Sequence, residues 1–232
     1  MKAAEIRSSP RPVRALHGIH ERVLETVIKH VSSGGRALDL GAGSGALVER
    51  LQAAGFRVTA ADIGSDFELS SEFVQLDFNS PVFDRELPSE FDLVTSIEVI
   101  EHLENPTAFL RCICRLLKPE GIAILTTPNV ENVAARLKFL IGGELRAMNK
   151  NSPEHVTPIF LDLFVRKIVP ASGLQLIEYF VYPKNAFPLT GRRYFVPFFR
   201  LLAPFLSGLA LTGDSHFLVL KKMPSQPLPV PE

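Results

Sequence analysis

Residues 36–47 read Arg-Ala-Leu-Asp-Leu-Gly-Ala-Gly-Ser-Gly-Ala-Leu, and no other stretch limits the fold as much. A short apolar run (Ala37, Leu38, Leu40) carries one acid, Asp39, and enters a turn with glycines at Gly41, Gly43 and Gly45. The pattern after it predicts a helix over residues 46–54. Glycine tolerates positive φ and has no Cβ, so such a turn can press its backbone against a ligand. A strand, a glycine turn and a helix at the carboxyl edge of a parallel sheet form the nucleotide-holding corner of open α/β folds.

Dinucleotide folds write G-x-G-x-x-G, with the third glycine at a helix–strand contact. Here the spacing is G-x-G-x-G, and Asp39 stands two residues ahead of it. A pyrophosphate favours an uncluttered helix N-terminus. A carboxylate just before the turn suits a ligand with positive charge, such as the sulfonium and ammonium of S-adenosylmethionine.

Four further strands follow. Arg57 to Asp62 ends in an acid 17 residues past Gly45, placed to bridge two ribose hydroxyls. Phe73 to Phe78 ends in Asp77-Phe78, an acceptor for an adenine amino group beside a ring that covers its face. Residues 91–97 and 121–127 are the fourth and fifth strands. Any one of these acids alone could be a helix cap or turn residue; three at successive strand ends form a much more specific pattern.

The chain thus resembles the class I S-adenosylmethionine-dependent methyltransferases. The resemblance is carried by Leu38 to Gly45, Asp62, Leu76-Asp77-Phe78, Phe91 to Val94, Glu98-Val99-Ile100-Glu101-His102-Leu103 and Leu117 to Gly121, and it covers about residues 15 to 182. It implies a Rossmann-like α/β fold: a seven-stranded sheet with five parallel N-terminal strands, an antiparallel last strand and helices on both faces. It also implies methyl transfer from the cofactor. The Glu-Val-Ile-Glu-His-Leu segment resembles the branch that holds the ubiquinone-pathway O-methyltransferases and the small-RNA 2′-O-methyltransferases. By this resemblance Gly41 and its neighbours Ala42, Gly43 and Gly45 hold the methionine part, Asp62 the ribose, and Asp77 with Phe78 the adenine, with Asp39 and Ile63 as further cofactor-binding residues. Ile97 lines the cofactor below the methyl group, and Glu98 is a cofactor contact or a metal ligand.

Length and composition bound the rest. A chain of 232 residues suits one α/β domain with a modest insertion. The expected division is a mobile tail over 1–14, one domain over 15–223 with lid or substrate insertions at 130–158 and 183–213, and a disordered proline-rich tail over 224–232. The 25 basic residues balance 25 acidic ones, so nucleic acid is not the expected partner. The two cysteines, Cys112 and Cys114, are two apart on a predicted helix and point away from each other, which suits a reducing, cytoplasmic compartment. No secretory leader is visible.

The segment richest in chemistry is Glu98 to His102, after the fourth strand. As a helical turn it would place Glu98, Glu101 and His102 on one face. They could bind a divalent cation such as Mg²⁺, with His155 as a fourth ligand. Alternatively, His102 or His155 is the general base, or the acid touches the cofactor and the histidine is structural. His17, His20, His30 and His216 read as packing or surface groups.

An apolar stretch over 192–211, interrupted by Arg200 and two prolines, is too broken for a membrane span. It reads as a lid, a dimer surface or a peripheral membrane contact. Greasy surface near the acceptor pocket favours a small, apolar or lipid-like acceptor. The competing functions are a metal-dependent RNA 2′-O-methyltransferase and a non-catalytic cofactor-binding regulator.

Overall fold

The computed structural model describes residues 15–65, 67, 69, 71–183 and 212–224. The strands are β1 (Arg36–Leu40), β2 (Arg57–Asp62), β3 (Glu72–Gln75), β4 (Phe91–Ile97), β5 (Leu117–Pro128), β6 (Leu174–Tyr182) and β7 (Ser215–Lys222). They join in one sheet ordered β3-β2-β1-β4-β5-β7-β6. β1 to β5 are mutually parallel, and β7 runs antiparallel to both β5 and β6. This is the sheet expected from the sequence. The order reverses at β1, so the ends of β1, β2 and β4 flank one crevice.

Both faces of the sheet are covered, because its strands alternate apolar side chains to either side. On one face Ala37 and Leu93 meet α1 (Ile19–His30) and α2 (Ala46–Ala53) through Ile19, Val23, Val27, Leu47 and Leu51. On the other, Leu38, Leu40 and Val94 meet α3 (Pro106–Leu116) through Phe109, Leu110 and Ile113. Asn105 caps α3 by accepting from Ala108 N at 3.0 Å, and Pro106 occupies its first turn, where no donor is lost. Cys112 and Cys114 are both free thiols, and burial pushes the Cys112 thiol up to about 11.

Two strands differ from the sequence reading, each for a local reason. β3 stops at Gln75, because Asp77 turns the chain by accepting from Asn79 N at 2.9 Å. Asp77 therefore lies past the strand. β5 begins at Leu117 and passes through Glu120 at φ 66° before its steady pairing from Leu93 to Ile122. The helix over 161–171 is α-helical at Leu161–Leu163, widens to a π turn at Phe164–Ile168 and closes at Val169–Ala171. Pro170 lacks an N–H and would strike a carbonyl four residues back, and the wider turn relieves that crowding. After β5, α4 (Val133–Gly142) is capped by Asn132 and ends at Gly143. The expectations for residues 1–14, for 184–211 and for the tail from 225 lie outside the described residues.

Phe109 is 1% exposed and packs with its ring centre 5.7 Å from Phe83 and 6.0 Å from Phe78. Phe109→Ala is expected to cost about 3–5 kcal/mol, read as a lower urea midpoint with an unchanged slope.

Candidate active site

The turn after β1 is held open by the end of β2. Gly41 N and Ala42 N donate to Ala61 O at 2.8 and 3.2 Å, and Gly43 N donates to Asp62 Oδ2 at 2.8 Å. The other Asp62 oxygen accepts from Gly64 N at 2.8 Å. Gly41 and Gly45 both sit at φ 85°; a Cβ at Gly41 would strike Val99, and one at Gly45 would crowd Leu69 at 2.5 Å. The turn therefore admits only glycine at these two positions.

Over this turn lies a cavity of about 710 Å³, within the range of small-molecule sites. Its walls include Asp39, Gly41, Ala42, Gly43, Asp62, Ile63, Asp77, Phe78, Ile97 and Glu98, so the structure brings nearly the whole predicted cofactor set together. Gly45 is the exception; it stands behind the turn as the residue preceding α2. Phe78 is wedged by Phe83 at 5.3 Å and offers the cavity little more than an edge, being 8% exposed. Asp39 is buried, and Thr95 Oγ1 donates to it at 2.7 Å. Burial nevertheless pushes its carboxyl up to about 7, against the pull of Thr95, and the nearby Asp62 charge adds to the rise.

At the far wall the Glu98–His102 segment departs from the expected helix. Glu98 takes φ 54° at the end of β4, and only Ile100–His102 form a 3₁₀ turn. This kink breaks the i, i+3, i+4 relation, yet all four members of the expected metal set, Glu98, Glu101, His102 and His155, line the cavity. Glu98 faces the hydroxyls of Thr126 and Ser215 and the charge of Arg146, and its Oε1 has no hydrogen-bond partner. Burial pushes its carboxyl up to about 7. Glu101 is fully buried; Thr127 Oγ1 donates to its Oε2 at 3.0 Å, while Oε1 is unpartnered. Burial, with Glu98 nearby, holds its carboxyl well above the usual range. Both acids are thus kept towards their neutral forms.

His102 and His155, 53 residues apart in the chain, meet edge to face with ring centres 4.5 Å apart. The Glu101 carbonyl brings them together by accepting from Val156 N and Thr157 N at 2.9 and 3.0 Å, and Thr157 Oγ1 donates to Leu103 O at 2.5 Å. His155 Nδ1 donates to Ala147 O at 2.6 Å, and His102 Nδ1 donates to Glu154 O at 3.2 Å. A carbonyl only accepts, so both rings carry their proton on Nδ1 and present Nε2 lone pairs. Burial, reinforced by His155, lowers the His102 pKa.

Glu101, His102 and His155 place one ligand atom each within 4.8 Å of one another. Two imidazole nitrogens and one carboxylate oxygen offer fewer hard oxygen ligands than the octahedron Mg²⁺ takes. Sequence reading missed Thr95, Thr127 and the carbonyls of Ala147 and Glu154, because a backbone acceptor leaves no residue-type signal. It also took His20 for a packing group, whereas His20 lines the cavity.

A family model described as a methyltransferase domain matches residues 14–179. A ubiquinone biosynthesis O-methyltransferase of Xanthomonas euvesicatoria pv. vesicatoria (strain 85-10) is 34% identical over 180 residues, 71% of this chain and 73% of that protein. Among solved structures, one described as a methyltransferase from Bacillus halodurans C-125 superposes with a TM-score of 0.60 at 17% identity, covering 87% of this chain and 99% of that one. The Burkholderia thailandensis 1,6-didemethyltoxoflavin-N1-methyltransferase, solved with S-adenosylhomocysteine, superposes with a TM-score of 0.58 at 14% identity, covering 88% and 78%. At these identities the structures show a shared fold.

Asp39 titrates near 3.8 when unfolded and about 7 when folded, so folding takes up a proton between those values. Stability then falls as pH rises through that window and levels off above it. The melting temperature of Asp39→Asn relative to the wild-type chain is expected to climb steadily from about pH 4.5 to about pH 7.5. A difference that stays flat would mean that Asp39 is ionised throughout.

Proposed function

The chain belongs to the methyltransferase-domain family and is an S-adenosylmethionine-dependent methyltransferase, and from that premise we propose that it methylates an oxygen of a small, apolar or lipid-like acceptor. The observation that carries this reading is the pair of imidazoles at the cavity wall, each fixed through Nδ1 to a carbonyl and each offering a bare Nε2. A hydroxyl acceptor must lose its proton at or before transfer, whereas a carboxylate acceptor needs no base. The named activity of the Xanthomonas relative, O-methylation in ubiquinone biosynthesis, supports an oxygen acceptor.

Bound S-adenosylmethionine supplies a methyl group already activated by its sulfonium. The turn at Gly41 to Gly43 and the Asp62 carboxylate would hold the cofactor, and Ile97 and Val99 add apolar lining to the same cavity. With the cofactor bound, the cavity would hold the acceptor oxygen towards its methyl group. His155 Nε2 would take the hydroxyl proton that the acceptor gives up on transfer. The Glu154 carboxylate, 3.7 Å from His155 Nε2, steadies the resulting imidazolium.

Exposed Leu140 and Ile141 at the end of α4, 79% and 84% accessible, add apolar surface to the stretch after β5 and support a greasy acceptor. No helix among the described residues is long and apolar enough to cross a membrane.

The purified protein, methyl-labelled cofactor and a fractionated cell extract test the proposal; label is expected in the lipid or small apolar fraction. Label in RNA or protein would overturn it. His155→Ala is expected to lower turnover by about 10²–10⁴-fold, with affinity for S-adenosylhomocysteine within about twofold of wild type by calorimetry.

A further inference from the structure

Between α4 and His155 the chain makes a tight turn, closed by Met148 N donating to Leu145 O at 3.3 Å. Arg146 and Ala147 are its corners. Ala147 stands at φ 60°, in the left-handed region that such a corner usually gives to glycine or asparagine. Its carbonyl is the acceptor for His155 Nδ1, at 2.6 Å. The chain comes back to that carbonyl through Asn149, whose main-chain and side-chain oxygens accept from Ser152 N and Asn151 N at 2.8 and 2.9 Å. An alanine keeps a left-handed torsion only where its surroundings impose it.

Arg146 supplies that constraint. Its side chain is largely buried. Nη1 donates to Asn129 O and to Asp214 O at 3.1 Å each, and Nη2 pairs with the Asp214 carboxylate. Both partners sit at one edge of the sheet, for Asn129 follows β5 and Asp214 precedes β7. They are joined to each other by Asn129 N donating to Asp214 O at 2.6 Å, and Asp214 N donates to Tyr182 O at the end of β6. The guanidinium thus ties an irregular turn to the ends of β5, β6 and β7. A planar fork with donors in fixed directions suits such a set of acceptors. Arg146 itself is not part of the cavity wall, whereas His155 is.

We propose that Arg146 is a positioning residue for His155: by anchoring the turn, it holds the Ala147 carbonyl in place and so keeps the His155 proton on Nδ1 and Nε2 bare. The proposal rests on the reading of His155 as the base.

Protein carrying isotope-labelled histidine tests it. Long-range proton–nitrogen spectra at about pH 8 tell a ring protonated on Nδ1 from one protonated on Nε2, and His155→Gln assigns the signal. Wild type is expected to show His155 as a single tautomer, protonated on Nδ1; protonation on Nε2 would overturn the proposal at once. Arg146→Met removes the donors and should give a mixture of tautomers. It should also lower methyl transfer to the extract fraction that wild type labels, by about 10-fold or more. Its affinity for S-adenosylhomocysteine should stay within about twofold of wild type by calorimetry. The Arg146 charge also acts on Glu98 and His216. Arg146→Lys keeps that charge and the partner of Asp214, but sets one nitrogen where two stood. It should fold even if Arg146→Met does not, and should shift the ring in the same direction. Full recovery in the lysine variant would assign the effect to charge, and an unshifted ring in the variants that fold would detach Arg146 from His155; each overturns the proposal. A shifted ring with undiminished methyl transfer would instead overturn the reading of His155 as the base and support the anchoring.

Discussion

The site depends on one junction, where the end of β2 holds the turn that leaves β1. Ala61 O takes two backbone donors from that turn and Asp62 takes a third. Because parallel neighbours are in register from Arg36 to Leu40, the two strands end together, and the acid on one reaches the glycines of the other. Without these bonds the amides at Gly41 to Gly43 would need water or one another. With them the backbone stands open, and left-handed torsions at Gly41 and Gly45 steer the chain into α2. The acid that shapes the turn also lines the cavity, so local order and ligand contact come from the same carboxylate.

A second junction builds the opposite wall. The residues after α4 contain no long regular element, yet they are pinned at Glu101 O and Leu103 O by Val156 and Thr157. The fixed point is the short 3₁₀ turn after β4, whose own acid is buried among hydroxyls. Backbone carbonyls then choose the protonation of both histidines. Glu101 works through its main chain as an anchor, and burial with Glu98 nearby holds its side-chain carboxyl well above the usual range.

Much of this was legible in the sequence, and the failures have physical causes. Asp39, Asp62 and Asp77 were found because strand periodicity places strand ends, and strand ends in parallel sheets face one crevice. Glu98 lines the cavity as expected, but the helical spacing of 98, 101 and 102 does not hold, because Glu98 adopts φ 54°. No side-chain pattern announces such a torsion at a non-glycine residue. The meeting of His102 with His155 was anticipated only as shared chemistry; its geometry depends on carbonyls, which every residue has. His20 escaped because a histidine on an amphipathic helix looks like any packing residue until the neighbours of each ring nitrogen are known. The π turn before Pro170 shows the same limit, since no pattern of residue types announces a widened turn.

The buried carboxyl of Asp39 has a consequence beyond stability. Its proton and a cationic ligand lower the energy of the same group in mutually exclusive ways, because a positive charge nearby favours the ionised form. Each therefore weakens the hold of the other by the same factor, as thermodynamic linkage requires. Loading this protein with a sulfonium compound near neutrality thus expels hydrogen ions into the medium, and an alkaline shift tightens the grip that acidification loosens.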